Sequence, residues 1–236
     1  MNDFYGALTA ALAALNISYT PSQLEQCGIY CRLLREANEK MNLTAITDPR
    51  EMALKHFADS LCLLSYDNLA PSASLIDIGT GAGFPGLPLK IMRGDLQVTL
   101  LDSLEKRCNF LHKVISELGL TNIEVVWDRA ETAGQNQAFR ANFTYATARA
   151  VADLPVLLEY ALPLLSLYGK FFALKGKKQD SPMDHALTAL GGELSQEVGY
   201  NLPITGEERR LYIFSKLSPT PDKYPRRPGK ATKKPL

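Results

Sequence analysis

Asp77-Ile78-Gly79-Thr80-Gly81-Ala82-Gly83-Phe84-Pro85-Gly86 decides how this chain is read. The stretch follows the apolar pair Leu75-Ile76 and runs into residues 85–90, which can start a helix. That order predicts a strand, a glycine turn and a helix N-terminus. Glycine has no Cβ, so the backbone can turn tightly and approach a ligand closely. A helix start adds free N–H groups and the positive end of the helix dipole. Such a turn suits a nucleotide-like cofactor. A plain turn would not need three alternate glycines, because each costs chain entropy on folding.

Outward from the turn, the pattern is alternating strands and helices. Strands are expected at 75–79, 96–101, 123–127, 143–148 and 169–175. Helices fall between them at about 85–92, 104–118, 129–134 and 153–166. Short links between such elements imply a mostly parallel sheet with helices on both faces. Apolar stretches near 193–200 and 208–216 can add an antiparallel hairpin at the sheet edge, for seven strands in all. Before the turn, residues 3–16 and 22–40 read as helices, and Asp48-Pro49 starts a third that runs to about Leu64. Residues 1–72 are therefore a helical extension, and 73–217 are the cofactor domain. Residues 218–236 hold Pro219, Pro221, Pro225 and Pro228, and are expected to be extended or disordered.

Two cofactor classes fit the turn. Gly81, Gly83 and Gly86 match the dinucleotide pattern G-x-G-x-x-G. Gly79, Gly81 and Gly83, with Asp77 two residues ahead, match an acidic-x-G-x-G-x-G pattern. That pattern resembles class I S-adenosylmethionine methyltransferases, whose fold is Rossmann-like. A pyrophosphate would be repelled by a neighbouring carboxylate, whereas an ammonium and a sulfonium would be attracted. Asp77 favours S-adenosylmethionine. An NAD-dependent oxidoreductase stays as one alternative, without a recognisable hydride-transfer constellation; an RNA-binding assembly factor without turnover is another, and a methyltransferase acting on a small molecule or protein is the nearer one.

Composition adds bounds. The chain has 236 residues, 46% of them hydrophobic, enough for one α/β domain and a small extension. Net charge is +1, but residues 218–236 alone carry +5, from Lys223, Arg226, Arg227, Lys230, Lys233 and Lys234 against Asp222. A basic tail on a body of charge −4 suggests a polyanionic partner. Cys27, Cys31, Cys62 and Cys108 show no metal-ligand spacing and are expected as buried thiols, with no metal site. Neither a secretory leader nor a membrane-spanning stretch is evident, which points to the cytoplasm.

Several further stretches, in order along nearly the whole chain, resemble the GidB/RsmG family of 16S rRNA guanine-N7 methyltransferases. They are Asn42 to Ile46, His56 to Leu61, Asp77 to Gly86, Leu101 to Arg107, Arg129-Ala130-Glu131, Ala148-Arg149-Ala150 and Ala173 to Gly176. The resemblance implies transfer of a methyl group to N7 of a guanine in the decoding-region loop of 16S rRNA. The partner would be that RNA, within the small subunit or an assembly intermediate, and the enzyme a monomer. It implies cofactor contacts at Gly79, Phe84, Ser103, Leu104, Ala130, Glu131 and Arg149, beside Asp77, Gly81, Gly83 and Asp102.

The positions support these roles unequally. Asp102 ends the second strand, where an acid binds ribose hydroxyls, but an N-cap of the next helix would also place it there. Glu131 is expected at the adenine edge, or as a first-turn helix acid. Arg149 follows the fourth strand, beside cofactor and base, and is the one candidate for direct catalysis; a plain ion pair is the other reading. His56 and Asp59 share a helix face and either pack the extension on the sheet or contact RNA. No base is required, since guanine N7 carries a lone pair and no proton. Lys175, with Lys177 and Lys178 beyond it, and the six tail cations are the expected phosphate contacts, with Tyr224 able to stack on a base. Deleting 218–236 is expected to weaken RNA binding and spare the cofactor. Asp102→Ala should weaken S-adenosylmethionine binding strongly in calorimetry; unchanged affinity would contradict the ribose role.

Overall fold

The computed structural model describes residues 1–176 and 181–236; Lys177 and Lys178, expected near RNA, lie outside the described residues. The chain opens with α1 (Asn2–Ala14), which buries Phe4, Ala7, Leu8, Ala11 and Leu12 along one face at helical spacing. The next helix, α2 (Pro21–Met41), starts on a capping box: Gln23 N–H donates to Thr20 Oγ1 at 3.2 Å, and Thr20 N–H donates to Gln23 Oε1 at 2.8 Å. A third helical run, α3 (residues 49–65), starts at Asp48, whose Oδ1 accepts from Glu51 N–H at 2.9 Å. It is α-helical at Pro49–Met52, widens to a π turn over Ala53–Ala58, and tightens at Cys62–Ser65. These helices match the expected extension closely.

The sheet has seven strands in the order β3-β2-β1-β4-β5-β7-β6. They are β1 (Ser74–Ile78), β2 (Gln97–Asp102), β3 (Ile123–Trp127), β4 (Phe143–Arg149), β5 (Leu165–Lys175), β6 (Gly192–Asn201) and β7 (Glu208–Lys216). The first five run parallel, and β7 pairs antiparallel with both β5 and β6. Between them run α4 (Gly86–Met92), α5 (Glu105–Leu118), α6 (Ala130–Ala133), α7 (Leu154–Ala161) and α8 (Asp184–Leu190). The strand order reverses between β1 and β4. That switch point opens a crevice at the carboxyl ends of the strands, where ligands of open α/β sheets bind. Leu75, Ile76 and Asp77 of β1 pair with Tyr145, Ala146 and Thr147 of β4. The register brings the glycine turn and Arg149 to the same edge.

Two apolar cores cover the two faces. Helices α1–α5 cover one, burying Tyr30, Phe57 and Leu100 among others. The other is closed by α7, α8 and the carboxyl-terminal segment, which contributes Tyr224 and Ala231. All four cysteines are buried thiols. No helix among the described residues is long and apolar enough to cross a membrane.

Three expectations change. The helix expected to reach 166 ends at Ala161, because Pro163 has no N–H and cannot continue it; β5 then starts at Leu165. The short helix α8 was not expected. Above all, residues 218–236 form an ordered strap with turns and a last short helix, α9 (Lys230–Lys233). Arg140 donates to the carbonyls of Thr220 and Tyr224 at 2.8 and 2.7 Å. Gln135 donates to those of Asp222 and Pro225 at 3.0 and 2.9 Å. Arg226 Nε and Nη2 bind the fully buried Glu159 carboxylate at 2.8 and 2.5 Å. The Arg226 guanidinium, expected at phosphate, is thus engaged by Glu159, and the Tyr224 ring, expected to stack on a base, is buried.

Arg226→Ala would leave the Glu159 carboxylate buried and unpaired. It should cost about 3 kcal/mol in urea unfolding, whereas the exposed Arg227→Ala should cost less than roughly 0.5 kcal/mol. Equal, small losses would contradict the anchoring role of Arg226.

Candidate active site

The turn after β1 is held from both sides. Gly79 and Thr80 N–H donate to Leu101 O at 2.8 and 3.1 Å, and Gly83 N–H closes back on Thr80 O at 2.9 Å. Gly79, Gly81 and Gly83 all have positive φ (+65°, +62° and +105°), a region that side chains disfavour. A Cβ on Gly79 would meet Val151 at 2.9 Å, whereas one on Gly81 would meet only Gly79 O, at 3.9 Å. Gly81 thus faces open space, and the backbone there is accessible to a ligand.

Asp77 lies beneath this turn, fully buried. Its Oδ2 accepts from Thr80 Oγ1 at 2.6 Å and from Gly86 N–H at 2.8 Å. Among the described residues, its Oδ1 is the buried side-chain polar atom with no hydrogen-bond partner. Burial pushes the carboxyl up to about 6, against the opposing hydrogen bonds from Thr80 and Gly86 and the charge of Arg149. Asp77 lines neither half of the cleft described next; it shapes the turn and its potential from beneath.

The cleft has two halves. One cavity, of about 170 Å³, lies among Ile78, Asp102, Ala130, Glu131 and Tyr160. The other, of about 420 Å³, lies among Thr44, His56, Gly81, Phe84 and Arg149. Gly79, Asp102, Ser103 and Val151 line both, so Asp102 stands at the seam. Its Oδ2 accepts from Gly81 N–H at 2.8 Å and its Oδ1 from Leu104 N–H at 2.9 Å, with Arg107 Nη1 at 3.4 Å. The two readings of Asp102 coexist: it caps the chain entering α5 and also lines the cleft. Leu104 and Gly83 line neither half; the Cβ position of Gly83 is filled by Leu87 and Tyr30. A cavity of about 460 Å³ also lies at the opposite end of the sheet, with Glu124 its only ionisable lining residue. Position and chemistry, rather than volume, favour the carboxyl-edge cleft.

A third cavity, of about 370 Å³, shares His56, Arg149 and Ala150 with the larger half and adds Lys55, Lys175 and Arg209. It is the basic side of the site. Arg149 joins the two. Its Nη1 donates to the carbonyls of Lys55 and His56 at 3.2 Å each and pairs with Asp59 Oδ2 at 3.3 Å. Those carbonyls lie in the π turn of α3, where the shifted helical ladder changes which carbonyls find a partner. The Arg149 guanidinium also sits 5.0 Å from the Phe84 ring centre, and His56 and Tyr30 stack on that ring at 4.7 and 5.2 Å. Asp59 Oδ1 additionally meets Arg209 Nε at 3.4 Å. His56 and Asp59 thereby fasten the helical extension to β4 and β7. Lys175 Nζ donates to Ala152 O at 2.7 Å.

Both nitrogens of the His56 ring are engaged: Nδ1 lies 3.3 Å from Arg149 Nη2 and Nε2 lies 2.7 Å from Thr44 Oγ1. Burial, then the Arg149 charge, pushes the imidazole down to about 3.

Sequence reasoning missed Thr80 and Val151, although both adjoin predicted site residues. It also missed Tyr160, Gly229 and Thr232, which line the smaller half of the cleft. Of the tail cations, Lys223, Arg227, Lys230, Lys233 and Lys234 are exposed. Lys223 Nζ sits 5.2 Å from the Tyr224 ring centre.

The residues fit S-adenosylmethionine. An unpaired buried carboxylate oxygen beneath the turn favours positive charge, the backbone at Gly81 is open, and an acid stands between the two halves. A family model described as rRNA small subunit methyltransferase G (GidB) matches residues 23–210. The chain is 46% identical over 231 residues to "Ribosomal RNA small subunit methyltransferase G" of Leuconostoc mesenteroides, covering 96% of each. It is 49% identical over 225 residues to the protein of that name from Desulfitobacterium hafniense, covering 94% of this chain and 93% of that one. In fold it is similar to a SAM-dependent methyltransferase of Aquifex aeolicus, with TM-score 0.54 and 15% identity over 78% of this chain and 98% of that one.

Acidification tests the His56 environment. Between about pH 6.5 and 3 the unfolded chain takes up a proton at His56 and the folded chain does not, so the folded state loses stability as pH falls through that window. His56→Gln should flatten the acid limb of stability against pH, and the His56 ring should show no NMR titration above pH 5. A midpoint near 6.5 would contradict the half-buried, neutral ring.

Proposed function

The chain belongs to the GidB family of rRNA small subunit methyltransferases, and on that premise we propose that it methylates N7 of a guanine in the decoding-region loop of 16S rRNA. S-adenosylmethionine is the cofactor, and when bound it supplies a methyl group on a positively charged sulfur. The observation that carries the reading is the two-part cleft at the switch point, with Asp102 at its seam and a basic cavity opening from it across Arg149.

Each residue has a positioning task. Ala130 and Glu131 mark the adenine end, Asp102 meets the ribose, and the Gly79–Ala82 backbone cradles the amino-acid end. Arg149 lines the larger half of the cleft, and Asp59 balances its charge so that a cationic donor is not repelled. The guanine enters across Arg149 and Lys175. With S-adenosylmethionine bound, guanine N7 would take its methyl group, with S-adenosylhomocysteine and 7-methylguanosine as the products. No residue removes a proton in that step. His56 matches this requirement, because both ring nitrogens are engaged and the ring is neutral. Rate enhancement comes from holding N7 in line with the breaking bond. The exposed Lys223, Arg227, Lys230, Lys233 and Lys234 offer the RNA backbone phosphate contacts. The chain acts as a monomer in the cytoplasm, on the small subunit or an assembly intermediate of it.

Labelled methyl from S-adenosylmethionine should appear at one guanine when small subunits lacking the modification are the substrate. The position is mapped by chemical cleavage at 7-methylguanosine. No transfer to subunits or to naked 16S rRNA, with the cofactor still bound, would refute the substrate assignment and leave the cofactor assignment standing.

A further inference from the structure

The carboxyl-terminal strap is basic and rich in proline, and by composition it belongs to the RNA side of the molecule alone. Its position says more. After Arg226 locks onto Glu159, the chain turns at Gly229 (φ +78°), and Gly229 N–H donates to Glu131 Oε1 at 2.9 Å. Tyr160 Oη donates to the same oxygen at 3.3 Å. Arg226 Nη2 also holds Lys234 O at 2.9 Å, so both ends of α9 are tied down. Ala231 is fully buried between them. The result is that Gly229 and Thr232 line the smaller half of the cleft, together with Asp102, Ala130 and Glu131.

We propose that the strap is a wall of the cofactor site, with Gly229 and Thr232 enclosing the adenine end. In this arrangement the Glu131 carboxylate acts chiefly by holding that wall through Gly229 N–H, with Tyr160 orienting it. An adenine ring entering the smaller half lies between the start of α6 and the strap. Enclosure removes the ring's apolar faces from water, which an open ledge would not do. The inference rests on S-adenosylmethionine being the cofactor. It reverses the expectation that the tail can be removed without loss of cofactor binding. It also puts Lys230 and Lys233, which are exposed, on the same turn of chain as Thr232. The strap therefore serves the cofactor on one side and can serve RNA phosphates on the other.

Deleting the strap would expose Glu159 and risk unfolding, so the test uses the full-length chain. Thr232 is exposed, and its hydroxyl donates locally, to Gly229 O at 3.1 Å. Thr232→Trp should fill the adenine end and weaken S-adenosylhomocysteine binding by about tenfold or more in calorimetry. The melting temperature without ligand should be unchanged. In the parent, S-adenosylhomocysteine should slow hydrogen exchange of the backbone amides of residues 226–234. Unchanged affinity of Thr232→Trp together with unchanged exchange in 226–234 would overturn the wall. No binding of S-adenosylhomocysteine by the parent chain would instead refute the cofactor assignment itself, and the wall with it.

Discussion

The site depends on one buried carboxylate. Asp77 spends a single oxygen on Thr80 Oγ1 and Gly86 N–H, and so ties the first strand, the glycine turn and the start of α4 into one unit. Taking that charge out of water is costly, and only part of the cost is returned by those two hydrogen bonds. The raised carboxyl and the unpaired Oδ1 express the remainder. A cation brought near the turn would relieve it. The interaction that shapes the turn therefore also selects the charge of what can occupy it, and a pyrophosphate would find no such relief.

Around that unit the molecule is fastened by contacts between parts distant in sequence. Arg149 reaches back to the carbonyls of Lys55 and His56 and to Asp59, so the helical extension is docked against the edge that carries the site. The strap does the same on the other side through Glu159 and Glu131. The extension and the strap thus each contribute lining to one half of the cleft: Thr44 and His56 to one, Gly229 and Thr232 to the other. A minimal α/β sheet would leave both ends open. The additions to the sheet are what shape the cleft, and both carry cations toward its rim.

The fold was legible because its signals are local. Alternating apolar runs, the glycine turn and the Asp48-Pro49 start all act within a few residues, and the elements appear where those signals place them. Within the sheet domain the helix before Pro163 stops short of its expected end, and α8, a seven-residue helix bounded by weak signals, was not expected. The site was legible by residue type but less so by direction. Asp77 points into the protein rather than into the cleft, and Asp102 caps the approach to α5 while lining it. The strap is hard to read locally because five prolines and six cations describe an unfolded chain when taken alone. What orders it is a set of partners 67 to 98 residues away, at Glu159 and Glu131, which no local pattern announces. The π turn in α3, whose Lys55 carbonyl accepts from Arg149, is likewise announced by no local pattern.

The most direct measurement is a crystal structure of the full-length chain with S-adenosylhomocysteine bound. The adenine should lie between Ala130-Glu131 and Thr232, the ribose on Asp102, and the amino-acid end against the Gly79–Ala82 backbone above Asp77. The strap should keep its contacts to Glu159 and Glu131. A ligand lodged away from the glycine turn, or an adenine bound with the strap displaced from Glu131, would contradict the assignment of this cleft and its walls.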